Sequence, residues 1–144
     1  MHNQIPQVSE VLRNECVFIT HQPENALLLL KWLRQITYNE RRETFLWAYD
    51  FSKKHQVKNW LIDDENIFII TPEEKEWVTH TWTELVSDSD IAKIAVVTSD
   101  HFPNLLVNAE FTTSAQEKYR QHGSTEHEVF TDFSLAYQWL TEGY

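Results

Sequence analysis

Apolar and polar positions along this chain fall into blocks whose period changes several times, and the changes mark out alternating strands and helices. Cys16 to Thr20 and Ala26 to Leu33 are apolar, strand-like runs, and Gln22-Pro23-Glu24-Asn25 between them carries the proline and asparagine of a turn. Together they predict a hairpin. From Asn39 to His55 the period lengthens to that of a helix: Phe45, Ala48, Tyr49 and Ser52 share a stripe, Leu46 widens it, and Arg41, Arg42, Lys53 and Lys54 are left for water. Val57 to Ile62 reads as a third, short buried strand. Thr71-Pro72-Glu73-Glu74 is a capping box with proline at the first helical position, and it predicts a helix from Pro72 to about Val86 with Trp77, Val78, Thr81, Trp82 and Leu85 on its inner face.

Ile91 to Thr98, rich in β-branched residues, predicts the next strand. The pattern then predicts a helix from near Pro103 toward Tyr119, a helix-ending Gly123 and a short strand from Glu126 to Phe130. Asp132 is positioned to cap a final helix that turns Phe133, Ala136, Tyr137 and Leu140 inward. The order is ββαβαβαβα. Strands separated by helices require crossovers, so the later strands should be parallel and the opening hairpin antiparallel. The fold class is therefore α/β: a mixed sheet of about five strands, with an N-terminal antiparallel hairpin followed by βα repeats and helices packed on the sheet. Residues 1–14, polar and aperiodic apart from Val8, Val11 and Leu12, read as an N-terminal arm, and 15–144 as a single domain.

In this order, VKNWLIDDENIFIITPEEKEWVTHTW, the strand KIAVV and the terminal FTDFSLAYQWL resemble a family of small bacterial proteins, the STAS/SEC14-like or SpoIIAA-like group, the latter named after a sporulation anti-sigma-factor antagonist. The resemblance runs from about Cys16 to Leu140 and rests most on the W-L-x-D strand end and the T-P-E-E-x-x-W helix. It implies a mixed sheet with helices packed on it and a regulatory or binding role, without a particular activity. In the phosphoregulated antagonists, a serine near the start of the helix after the third strand is the switch. Here Thr71 stands in that region and no serine lies between Val57 and Thr83, so Thr71 reads as a structural cap and not as a phosphosite.

The chain's 144 residues, 42% of them hydrophobic, suffice for one sizeable core. Six Trp, eight Phe and five Tyr supply its packing without staples. Cys16 is the single cysteine, which excludes an intramolecular disulfide or a zinc site of several thiolates and fits a small buried hydrophobe in a reducing compartment. MHNQIPQVSE lacks a basic region before an apolar run, and LLLLKWL is too short and charged to span a bilayer, so a soluble cytoplasmic protein with no membrane contact is expected.

A net charge of −10 argues against binding nucleic acid, whose phosphates need a basic surface. The charge is uneven. Lys31 to Lys58 holds seven basic and three acidic residues, net +4, whereas Asp63 to Asp90 holds nine acidic residues and Lys75, net −8. Opposite poles favour self-association or partner encounter, although solvated helix faces account for such runs as well.

Two glycines, Gly123 and Gly143, leave no Gly-rich phosphate loop. Asp63, Asp64, Glu65 and Asn66 follow one strand, and Thr98 and Ser99 close another, where open α/β sheets hold their ligands; these six residues form the candidate ligand or partner site. A phosphoacceptor receiver would also need an acceptor Asp on an intervening strand and a Lys after the last strand. Both are missing, so a solvated acidic loop is expected, with a Mg²⁺ or Ca²⁺ site as the alternative. Glu76, His80 and Glu84 line an outer helix face, and His122 and His127 with Glu126 and Glu128 read as turn and strand surface. No nucleophilic triad, G-x-S-x-G elbow, metal site or cofactor site emerges. Trp32, flanked by Lys31 and Arg34, is the candidate interface residue. The function these features predict is a non-enzymatic regulatory or protein-interaction module, acting on a protein partner or as a homodimer. A small-molecule or divalent-metal-binding domain built on Asp63–Asn66 is the alternative.

Overall fold

The computed structural model describes residues 8–99, 113, 115–118 and 125–142. Asp100, Gly123, His122 and most of the helix expected from Pro103 lie outside them, although residue 113 and residues 115–118 are helical. Six strands form one mixed sheet in sequential order: β1 (Ser9–Arg13), β2 (Val17–Gln22), β3 (Leu27–Trp32), β4 (Asn59–Asp63), β5 (Lys93–Val97) and β6 (Glu126–Phe130). The first three pair antiparallel, and β3 through β6 are parallel. Strand β1 falls inside the stretch read as an arm. A bulge between Glu10 and Leu12 shifts its register, so Val11 and Leu12 both reach the core and the two-residue alternation that signals a strand is lost.

Helix α1 (Tyr38–His55) joins β3 to β4. Its start is fixed by a second capping box, in which Glu40 N donates to Thr37 Oγ1 at 3.1 Å and Thr37 N donates to Glu40 Oε1 at 2.9 Å. Between β4 and β5 run α2 (Pro72–Trp77), a π-helical turn (Val78–Trp82) and α3 (Thr83–Ser87). The π turn makes residues five apart face the same way, so Trp77 stacks on Trp82 with centroids 6.3 Å apart. It also rotates Thr81, expected on the inner face, out to solvent, while Glu74 joins Val78, Trp82 and Val86 on the buried stripe.

The parallel strands advance in one direction, and right-handed crossovers then put their connecting helices on one face of the sheet. Phe45, Ala48, Val78, Trp82, Val86 and Ala115 accordingly pack with Ile19, Leu28, Leu30, Trp60, Ile62, Ile94 and Val96. Two buried polar side chains in this layer pair with each other: Trp60 Nε1 donates to Ser52 Oγ at 3.0 Å, and that hydroxyl donates to the Ala48 carbonyl. The terminal helix α4 (Phe133–Thr141) covers the other face, with Ala136 and Leu140 against Leu27, Leu61, Ala95 and Val97. Asp132 caps it, accepting from Leu135 N at 3.0 Å. Phe133, expected inward, is exposed on its first turn, as is Leu46 on α1.

Candidate functional site

Because the parallel strands do not reverse their order, no switch-point crevice opens between them among the described residues, and the β4–α2 connection closes over their carboxyl ends. Asp64 N donates to the Val97 carbonyl at 2.7 Å, extending the ladder one residue past β4. Strand alternation then sends the Asp64 side chain to the face that carries α1 and α2. Asp63 Oδ1 accepts from Glu65 N at 3.0 Å, Ile67 N donates to the Asp64 carbonyl at 2.9 Å, and Asn66 Nδ2 donates to the Trp32 carbonyl at 2.9 Å. The four polar residues thus tie the end of β4 to β3 and β5. Asp63 and Asp64 are buried rather than solvated, contrary to the acidic loop expected, and only Glu65 of the three carboxylates is exposed.

Burial dominates the chemistry of Asp64, raising its pKa to about 6. Arg41 opposes the rise, Asp63 and Glu74 add to it, and the Trp32 indole N–H favours the ionised form without reaching normal hydrogen-bond geometry. Among the described residues, Asp64 Oδ1 has no hydrogen-bond partner. Arg41, expected in water, is buried beside it and donates from Nε to Glu74 Oε1 at 2.9 Å. Glu74 completes the predicted capping box, since Oε2 accepts from Thr71 N at 2.7 Å and from the Thr71 hydroxyl at 3.0 Å. Arg41 lies four residues before Phe45 on the buried stripe of α1, and that spacing was the signal for its burial.

The same connection carries Phe68 and Ile69, which are 58% and 63% exposed. Their backbone is held: Gln35 Oε1 accepts from Phe68 N at 2.8 Å and Ile69 N at 3.2 Å, and Gln35 Nε2 donates to the Ile69 carbonyl at 2.8 Å. The run Ile67-Phe68-Ile69-Ile70, apolar yet outside any helix or strand, was the sequence signal for this display.

Of the other candidates, Thr98 is buried with its N–H on the Phe130 carbonyl, and Ser99 is half-buried. Trp32 is fully buried against Phe45, centroids 6.2 Å apart, and so does not lie on an interface. Leu28, Leu30 and Trp32 alternate onto the helix-covered face, and Lys31 takes the exposed position that Trp32 was expected to hold. Glu76, His80 and Glu84 are exposed. His127, expected at the surface, is buried, and desolvation lowers its pKa to about 4. Burial likewise lowers the His21 pKa, helped by His55, and raises that of the Cys16 thiol. Among the described residues, no group of three or more His, Cys, Asp or Glu is arranged to hold a metal ion, and no helix is long and apolar enough to cross a membrane. No family model, curated protein or solved structure matches the chain.

Proposed function

We propose that the chain is a non-enzymatic regulatory or protein-interaction module of the STAS/SEC14-like, SpoIIAA-like type, and that the β4–α2 connection meets its protein partner in a reducing cytoplasm. The observation that carries this reading is the exposure of Phe68 and Ile69 on a backbone clamped by Gln35. Apolar side chains on a loose loop lose conformational freedom on binding, whereas a clamped pair has surrendered much of it on folding. An aromatic anchor beside an aliphatic one is also the composition of an interface centre. The single buried Cys16 suits a reducing compartment, and the net charge of −10 disfavours nucleic acid as the partner.

A photo-crosslinking amino acid at position 68, with a second at exposed Glu84 as the control, tests this in cells. A discrete protein adduct at 68 and none at 84 is expected; equal labelling at both positions would sink the reading. A second reading, a small-molecule or divalent-metal site at Asp63–Asn66, is favoured by the buried Asp64 Oδ1, which has no hydrogen-bond partner among the described residues. It requires that Mg²⁺, Ca²⁺ or a small ligand raise the melting temperature and that Asp64→Asn abolish the rise.

A further inference from the structure

Helix α4 packs on β4, β5 and β6, and beside it the second sheet face forms a groove of about 330 Å³. Phe18, Thr20, Leu29, Leu61 and Phe133 line it. Phe18, Thr20 and Leu29 are only half-buried, so among the described residues this layer of the sheet is incomplete. We propose that a second copy of the chain completes it, in a two-fold dimer that seats Phe133 of each copy in the groove of the other.

The face offers both halves of a self-complementary contact. It carries both an apolar recess and, at the margin, an exposed aromatic ring on the first turn of α4, which is what an isologous contact requires. Lys31 and Glu65 also line the groove, are exposed, and make no ion pair with a described residue. In the proposed dimer each lysine meets its partner's glutamate. Arg13 lies over Phe18 at 4.1 Å and pairs with Glu10, so Arg13 and Lys31 offset most of the charge of Glu10, Asp63 and Glu65. In a chain of net charge −10, that near-balance lets two copies approach here without strong repulsion. The contact is independent of the Phe68–Ile69 display and would leave that proposal standing if it failed.

Sedimentation equilibrium of the full chain at micromolar concentrations tests the dimer. Phe133→Asp should weaken association on the order of 30-fold. Because an acidic residue at the first helical position favours the helix dipole, unfolding would not explain that loss. Lys31→Glu and Glu65→Lys should each weaken it about tenfold, and the double exchange should recover most of the affinity. A wild-type chain that stays monomeric, leaving the groove to a different partner, overturns the proposal. So does a dimer indifferent to Phe133→Asp, or a double exchange no tighter than its single variants.

Discussion

Arg41 Nε donates to Glu74 Oε1 across 2.9 Å, and both side chains are almost wholly withdrawn from water. The pair joins α1 to α2, the helix that follows the Phe68–Ile69 loop. Removing one member strands the other as a buried charge, so Arg41→Met should lose about 3–5 kcal/mol of stability in urea denaturation. Replacing both, Arg41→Met with Glu74→Leu, should recover much of that loss but still lack the capping contribution of Glu74. A loss well under about 1 kcal/mol in Arg41→Met would mean that the pair is not buried in solution.

Thr71 should matter less, and in a different way. Thr71→Ala removes a hydroxyl that accepts from Glu74 N at 3.2 Å and donates to the Glu74 carboxylate, for about 1 kcal/mol, without altering partner capture. Thr71→Ser should restore the stability because it keeps the oxygen. Unchanged thermal stability in the alanine variant would contradict the helix boundary.

Local chemistry made the Thr71 box, the Asp132 cap and the β6 limits legible, because each is decided within a few residues. The site was only half legible. Its acidic turn shows as a polar break after an apolar strand, but the burial of Asp64 depends on a ladder bond to Val97, 33 positions away. Arg41 likewise reads as solvated until Glu74 is brought opposite it by packing. Strand β1 was hidden because its bulge erases the alternation, and the π turn because Trp77 and Trp82 fit an ordinary helix pattern as well. For Asp64 and for the Arg41–Glu74 pair the lost information is tertiary, and no window of local sequence contains both partners.

Two buried groups should oppose one another in acid. The pKa of Asp64 rises from 3.8 to about 6 on folding, so between those values the folded state holds the extra proton, and stability falls as pH rises. The pKa of His127 falls from 6.5 to about 4, so the unfolded state holds the extra proton there, and stability rises with pH. Each contribution is of order 3 kcal/mol over its range. They nearly cancel between about pH 4 and 6, leaving the wild type little pH dependence from this pair. Asp64→Asn should unmask His127 and give stability that climbs across that window, whereas His127→Gln should give the reverse slope. Parallel profiles for the two variants, measured by denaturant titration at several pH values, would refute the assignment.

The last prediction separates order from stability in the Phe68–Ile69 loop. Gln35 binds this loop through both ends of its amide, receiving the Phe68 and Ile69 N–H groups and donating to the Ile69 carbonyl. In Gln35→Ala those two amides lose their only described acceptor, while the buried core, which Gln35 does not enter, keeps its packing. Hydrogen exchange at Phe68 and Ile69 should therefore accelerate on the order of tenfold with little change in global stability, since loop opening is governed by local bonds. Crosslinking through position 68 should weaken in the same variant, because the apolar pair would have to be ordered at the moment of binding. Gln35→Glu should behave like the alanine variant at one end only, keeping the acceptor for the two N–H groups and losing the donor to the Ile69 carbonyl. If exchange at both amides is as slow in Gln35→Ala as in the wild type, the clamp does not hold the loop, and the proposal that Phe68 and Ile69 form a preorganised docking surface fails with it.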